Sequence, residues 1–174
     1  TLYKRDPETF KVIPGDFGRH EFTWIKAWMI TEKVNGENTR VMMDTAGRVT
    51  LAGRKGRSQV PGPTLEYLQR TFTADKMHQC FEQEEDGTWP EVTVFGEAYG
   101  PGIHKGGDYR KDVAMRIFDV VVGPWWLNRD NVEDVARKLG VEPVPILGWM
   151  AYNRLPATPA GLRMWASRSD GAFQ

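Results

Sequence analysis

Alternating apolar and polar residues run through much of the chain and predict β-strands. Residues 40–51 alternate on both sides of the turn-like segment 44–47, which predicts a hairpin. Two further apolar runs, Val92–Glu97 and Met115–Val122, predict longer strands. The connector over residues 99–109 is too rich in glycine to form regular structure. The first half of the chain is therefore expected to consist mainly of strands and hairpins.

Helical periodicity appears in the middle of the chain. After two prolines, Leu65, Leu68 and Phe72 recur at helical spacing and predict a surface helix. The polar stretch Glu82–Gly87 that follows predicts a loop.

The last third of the chain predicts a helix, a strand and a second, shorter helix. The first helix is expected to begin at a cap near Asp130, with Glu133 in capping-box position, and to end at Gly140. The run Val144–Leu147 predicts a strand, and a last short helix is expected to start at Thr158. These patterns supply the elements but not their arrangement.

Composition narrows the class of protein without naming a function. The chain has 174 residues, of which 40% are hydrophobic, and this suits one globular domain with a substantial core. Trp125 and Trp126 are expected to be buried against the helix that follows them. The formal net charge is zero, so the general attraction of strongly basic domains to nucleic acid is absent.

The single cysteine and the lack of a long apolar run indicate the compartment. Cys80 is expected in the core, excludes an internal disulfide framework and fits a reducing, cytoplasmic environment. No apolar run is long enough to span a bilayer, so a membrane protein is not expected.

The segment Lys33-Val34-Asn35-Gly36 gives the first indication of chemistry. An unprotonated lysine can form a covalent intermediate, and burial or neighbouring cations lower the lysine pKa enough to allow this. Lys33 lies between apolar stretches, while Arg40 and Arg54 supply positive charge that a triphosphate also needs. Gly36 is expected to let the backbone turn tightly beside a nucleotide. A lysine three residues before a glycine is a common pattern. Whether Lys33 is a nucleophile must therefore be decided from its spacing to other motifs.

Two downstream strand segments supply suitable partners for such a lysine. Phe95-Gly96-Glu97 places a carboxylate near the end of an apolar strand, where Glu97 is suited to bind a divalent metal or a ribose hydroxyl. A salt bridge on an edge strand is the simpler interpretation of the same glutamate. Phe118 suits stacking on a purine, although a core position suits its ring equally.

Together these segments resemble the covalent nucleotidyltransferase superfamily of polynucleotide ligases and mRNA capping enzymes, and in particular its ATP-dependent RNA-ligase branch. Lys33-Val34-Asn35-Gly36 is similar to the nucleophile motif, Phe95-Gly96-Glu97 to the third motif, and Phe118-Asp119-Val120 to the motif after it. Asn38 favours the RNA-ligase branch, as in the second RNA ligase of T-even phages, because many DNA ligases and capping enzymes carry arginine there. The resemblance covers nearly the whole chain and implies a phage or bacterial source.

The resemblance implies an α+β adenylyltransferase domain of the ATP-grasp-like ligase type, with antiparallel sheets flanked by helices and the nucleotide in the cleft between the sheets. It implies a monomeric enzyme of RNA repair that uses ATP with Mg²⁺ or Mn²⁺ on polynucleotide ends, either RNA or a nicked duplex. Lys33 would be the nucleophile that forms lysyl-AMP, and Glu97 would also bind the metal. The nucleotide-binding residues implied are Glu32, Val34, Asn38, Arg40, Arg54, Glu97, Lys105 and Phe118.

Two departures from the family pattern limit these implications. Asn35 stands where the family usually has aspartate or histidine, which removes a charge beside the nucleotide. The family pattern also continues, after a pair like Ser167-Arg168, into a strand beginning Glu-Gly and a final strand with two lysines, and neither follows in this sequence. Residues 1–174 are therefore expected to be one nucleotidyltransferase domain that lacks its C-terminal motif strands.

Other functions remain open from the sequence. A DNA ligase or a GTP-using capping enzyme performs the same chemistry on other ends, and nucleotide and strand preference would separate these enzymes. A nucleotide- or RNA-binding module that has lost catalysis fits the missing motifs. A purely structural α+β domain ranks last, because it leaves the spacing of the three motifs unexplained.

Overall fold

A six-stranded sheet with helices on one face is the largest part of the computed structural model, which describes residues 3–54, 60–103, 110–151 and 154. The chain divides into two units. One comprises the described residues up to Glu32 and from Pro145 onward, and the other is Lys33–Val144. The strands are β1 (Tyr3–Arg5), β2 (Val12–Phe17), β3 (Ala27–Thr31), β4 (Glu37–Met43), β5 (Val49–Gly53), β6 (Val92–Tyr99), β7 (Ala114–Val122), β8 (Trp125–Trp126), β9 (Glu142–Pro143) and β10 (Ile146–Ala151). The helices are α1 (Gly62–Thr71), α2 (Ala74–Cys80) and α3 (Arg129–Leu139), with a 3-10 turn at His20–Trp24.

The six-stranded sheet belongs to the larger unit and confirms the predicted α+β class. Its strand order is β5-β4-β6-β7-β8, with β9 beside β7. All of its pairings are antiparallel except that of β9 with β7. The predicted hairpin is β4 with β5, and its turn is fixed by Asp44, whose carboxylate accepts the backbone N–H groups of Ala46 and Arg48 at 3.0 and 2.9 Å.

One face of this sheet packs against the helices and forms the main core. Alternate residues of the central strands, such as Val41, Val94 and Ile117, are fully buried on that face. The helices contribute the apolar residues Leu68, Phe72, Met77, Val132, Val135, Ala136 and Leu139. Because the helices cover this face, the residues of opposite parity along the same strands lie on the other face.

The smaller unit contains two strand pairs. β1 pairs with β2, and β3 pairs with β10, both antiparallel. The strand predicted over Val144–Leu147 is wrong in its position, because β10 covers Ile146–Ala151. Val144 belongs to the larger unit, where its backbone N–H donates to the carbonyl of Ile117 at 2.8 Å.

The helices confirm the periodic pattern, with a corrected start for α3. The cap is Asn128, whose side chain accepts the backbone N–H of Asn131 at 3.0 Å, and not Asp130. Glu133 instead accepts a hydrogen bond from Arg129 at 2.7 Å, so no capping box forms. The helix ends as predicted at Gly140, whose φ of 73° is the left-handed conformation that glycine favours.

Two further helical expectations have different outcomes. The pattern missed α2, a short helix capped by Thr73, in which Met77 is the buried residue. The helix predicted to start at Thr158 lies outside the described residues. None of the helices that the structure describes has the length and apolar character needed to cross a membrane.

The expected burial of the tryptophan pair is wrong. Trp125 and Trp126 are 73% and 65% exposed and form β8, which pairs with Val121 and Val122. They are exposed because β8 is the last strand in the sheet order, while the apolar face of α3 is already taken up by the main core. Cys80, by contrast, is half-buried and packs against that core.

Candidate active site

The sheet face opposite the helices brings several predicted residues into one row. Glu97 of β6 lies directly opposite Asn38 of β4 on one side and Arg116 of β7 on the other. Directly opposed residues of an antiparallel pair have Cβ atoms about 4.5–5.5 Å apart. Arg54 follows Gly53, the last residue of β5, so extending the β4–β5 register by one residue brings Arg54 level with Asn38. The row thus combines an amide, a carboxylate and two guanidinium groups.

A second row lies two residues further along the same strands. Phe95 of β6 is opposite Arg40 of β4 and Asp119 of β7. The guanidinium carbon of Arg40 lies 5.3 Å from the centre of the Phe95 ring. Partial burial of the Asp119 carboxyl raises its pKa above the ordinary value. Arg40 therefore lies in the neighbouring row, two residues along β4 from Asn38.

A β-bulge in β7 places the ring of Phe118. Phe95 pairs with Asp119, whereas the next residue of β6, Gly96, pairs with Ile117, so Phe118 is the extra residue. Its half-buried ring packs against a second apolar cluster, separate from the main core, that consists of Val34, Tyr99, Ala114 and Val144. The sequence left Phe118 either as a core residue or as a ring that stacks on a purine. Its position against the second cluster excludes a place in the main core.

Gly96 of the third motif is needed for close strand packing. A Cβ at this position would collide with the end of the Met115 side chain and would lie 2.7 Å from the carbonyl oxygen of Arg116. Because β7 approaches so closely at the bulge, only glycine fits between Phe95 and Glu97.

The loop that carries Lys33 is held against this face on both sides of Asn35. Val34 is 3% exposed and packs in the second apolar cluster, against which Phe118 also packs. A Cβ on Gly36 would collide with the carbonyl oxygen of Ala98 and would lie 3.0 Å from Cγ of Glu97. Gly36 is therefore required by its close approach to β6. The chain bends at Gly36 as expected, although the φ of Gly36 is not in the left-handed range.

Lys33 is exposed, although it lies between apolar stretches of the sequence. Val34 turns inward, while its neighbours Lys33 and Asn35 point outward and are exposed. Arg54 is exposed as well. Glu32 precedes Lys33 directly but belongs to the smaller unit, where its backbone N–H donates to the carbonyl of Pro145 at 3.0 Å.

The remaining predicted positions are only partly placed. Lys105 lies outside the described residues. The part of the chain that the structure describes contains no group of three or more histidine, cysteine, aspartate or glutamate side chains arranged to hold a metal. Proteins commonly bind Mg²⁺ through one or two carboxylates together with substrate phosphates, and the metal-binding role of Glu97 stays a prediction.

Sequence reasoning missed a cavity beside the second apolar cluster. Tyr99 and Ala114 line a space of about 340 Å³ together with the cations Arg70, Lys76 and Arg110. It also missed Arg116, which lies opposite Glu97, and Tyr99. The guanidinium carbon of Arg116 is 5.5 Å from the ring centre of Tyr99. The alternation of β6 would have pointed to Tyr99, which shares the parity of Glu97.

Comparison with known proteins identifies the family. No curated protein matches the sequence. A solved structure of a lysine-substituted RNA ligase from Naegleria gruberi with ATP and manganese is similar to this chain, with a TM-score of 0.58 and 17% identity over 74% of this chain and 38% of that one. Another form of that ligase, with AMP and manganese, matches with a TM-score of 0.58 and 14% identity over 82% and 41% of the respective chains. The chain thus spans about two-fifths of the length of these structures, and at this identity the likeness shows the fold.

A family model provides the assignment. The model described as RNA ligase matches residues 26–162, which include the lysine loop, the Glu97 row and the Phe118 bulge. Because the match covers most of the sequence, the chain belongs to the RNA ligase family.

Proposed function

We propose that the chain is the adenylyltransferase part of an ATP-dependent RNA ligase. Lys33 would take AMP from ATP, pass it to a 5′-phosphate end, and so allow a 3′-hydroxyl to seal the strand. The observation that carries this proposal is the double anchoring of the Lys33 loop, by Val34 beside Phe118 and by Gly36 beside Glu97. The ATP and AMP bound in the Naegleria ligase structures support the same chemistry.

In the first step Nζ of Lys33 attacks the α-phosphorus of ATP. A nitrogen–phosphorus bond forms, the bond from the α-phosphorus to the bridging oxygen breaks, and pyrophosphate leaves while the amine loses its proton. Phe118 would stack on adenine, and Glu97 would hold the ribose or the metal. Arg54 and Arg40 would bring positive charge to the phosphates. Glu32, Val34 and Lys105 complete the proposed nucleotide contacts.

A divalent metal has one proposed ligand on this face. Glu97 would hold Mg²⁺ or Mn²⁺ together with the phosphates of the substrate, and the bound ion would neutralise phosphate charge. A manganese ion is present with the nucleotide in the Naegleria ligase structures.

The later steps act on a polynucleotide. An oxygen of the 5′-phosphate attacks the lysyl-linked phosphorus and frees Lys33, and the 3′-hydroxyl then attacks the activated 5′-phosphate and releases AMP. Asn38 is suited to position the reacting end, because it lies in the same row as Glu97. We further infer a monomeric, cytoplasmic enzyme of phage or bacterial origin. The single cysteine is consistent with a reducing compartment.

The test is transfer of label from α-labelled ATP, with GTP in parallel, to denatured protein. Lys33→Ala should abolish labelling without unfolding the chain, and Lys26→Ala, which removes another exposed lysine, should leave labelling unchanged. Label that persists at another residue in Lys33→Ala would overturn the assignment. Label from GTP alone would indicate a capping enzyme, and reversible nucleotide binding without any label would indicate a binding module.

A further inference from the structure

An exposed aromatic stack lies beside the proposed ligase site. The rings of Trp126 and Phe95 are nearly parallel, with centres 5.6 Å apart and an interplanar angle of 18°. Arg40 lies over the same Phe95 ring at 5.3 Å. Trp126 is nevertheless 65% exposed. A large, ordered and exposed aromatic surface of this kind is typical of a binding site.

The stack continues the sheet face that carries the proposed site. Arg40 is two residues after Asn38 on β4, and Phe95 is two residues before Glu97 on β6, so all four have the same parity. Two residues of a strand span about 7 Å. The aromatic stack therefore begins roughly one nucleotide away from the row in which Asn38 and Glu97 lie.

The charges around the stack favour a nucleic-acid base over an apolar protein segment. Within the described residues, Nε of Arg40 is buried and makes no hydrogen bond, although a guanidinium group usually satisfies its donors. The Arg40 guanidinium lies over the ring of Phe95, and a cation in this position is suited to attract an RNA phosphate. Asp119 lies opposite Phe95 and supplies an acceptor suited to an exocyclic amine of a base.

We propose that Trp126, stacked on Phe95 and flanked by Arg40, is a platform on which an unstacked base of the RNA strand rests next to the end being joined. This inference extends the proposed function, because it assigns a place to the polynucleotide. Stacking on an aromatic side chain is tolerant of base identity. The platform is therefore expected to bind single-stranded RNA with little sequence preference.

The neighbouring tryptophan provides a matched control. Trp125 pairs with Val122 and Trp126 with Val121, so their side chains point to opposite faces of the sheet. Both are exposed, and Trp125 is the more exposed of the two at 73%. Replacing either one therefore removes a similar surface, but only the change at Trp126 removes the platform.

The experiment measures binding of a fluorescein-labelled single-stranded RNA to the chain by anisotropy, without ATP. Trp126→Ala should weaken binding about 5- to 150-fold, the range expected for loss of one stacked base. Trp126→Phe should retain most of the affinity, and Trp125→Ala should change it less than twofold. Unfolding curves should show that every variant is fully folded at the temperature of the binding assay, since both tryptophans are exposed and only the stack with Phe95 is lost in Trp126→Ala.

Other outcomes would overturn the platform. Equal effects of Trp126→Ala and Trp125→Ala would show that the stack does not hold RNA. Unchanged RNA binding with a shift from dimer to monomer in sedimentation would show that a second copy of the chain covers it. Loss of AMP labelling in Trp126→Ala in parallel with the loss of RNA binding would place Trp126 in the nucleotide pocket instead. Absence of labelling in every variant would contradict the ligase proposal alone, because the RNA-binding comparison does not depend on it.

Discussion

Replacing Gly36 by alanine tests whether the Lys33 loop depends on its contact with β6. The new Cβ would overlap the carbonyl oxygen of Ala98 and would lie 3.0 Å from Cγ of Glu97. Ala98 lies within a strand that is paired on both sides, so its carbonyl cannot rotate away as a side chain would. The loop must move by roughly an ångström to restore ordinary contact distances.

The size of the effect follows from this displacement. An extra carbon forced into close packing costs about 1–3 kcal/mol, and the loss of glycine's freedom in the unfolded chain offsets about 0.4–1 kcal/mol. The free energy of unfolding should therefore fall by about 1.3 kcal/mol, the middle of a range of about 0–2.6 kcal/mol. Because Lys33 is three residues away on the same loop, transfer of AMP should slow on the order of 100-fold, as expected for a misplacement of this size.

The assay compares Gly36→Ala with Gly62→Ala by urea unfolding and by transfer of label from α-labelled ATP. Apart from its two chain neighbours, a Cβ on Gly62 meets no atom within 4 Å, and the φ of Gly62 is outside the left-handed range. Gly62→Ala should therefore leave labelling unchanged. Pro63, which disfavours the helical conformation of the residue before it, should cancel part of the roughly 0.4–1 kcal/mol that replacing a glycine otherwise adds. Wild-type stability and labelling of Gly36→Ala would refute the argument that this contact holds the loop.

Two further predictions concern titrating groups. Burial raises the pKa of Asp119, so the folded chain holds this proton more tightly than the unfolded chain, and the free energy of unfolding falls as the pH rises between the two pKa values. Asp119→Asn should therefore raise the urea midpoint at pH 7 but not at pH 3, and an equal gain at both pH values would contradict this. Burial raises the pKa of Cys80 to about 11, so roughly one thiol in a thousand is ionised at pH 8. A thiol reagent should modify the native chain slowly and the urea-unfolded chain quickly, and equal rates would show that Cys80 is not shielded.

The strongly periodic segments were predictable because burial on one face fixes their pattern. The long strands around Val94 and Ile117 and the helix ending at Gly140 follow from alternation and helical spacing. The tryptophan pair was not predictable in this way. An aromatic pair after a turn is compatible with burial or with exposure. Trp125 and Trp126 are exposed because β8 is the last strand in the sheet order.

The residues of the candidate site were proposed from the sequence, whereas their geometry could not be predicted from it. Strict alternation along β7 would put Asp119 on the core face together with Ile117 and would turn Val120 outward. In the structure Val120 is fully buried, because the bulge at Phe118 reverses the parity of the strand. Nothing in the local sequence marks such a bulge. The exposed position of Lys33 likewise depends on tertiary contacts, since only Val34 of this loop has an apolar cluster to enter.

The bulge in β7 also bears on how this chain tolerates changes in length. Without Phe118, Ile117, Asp119 and Val120 would follow one another in regular alternation, so β7 is an ordinary strand plus one added residue. The aromatic ring is thus supplied by an insertion that displaces no side chain of the main core. A deletion of this single residue would leave the interior of the sheet complete and remove the ring that is proposed to stack on adenine.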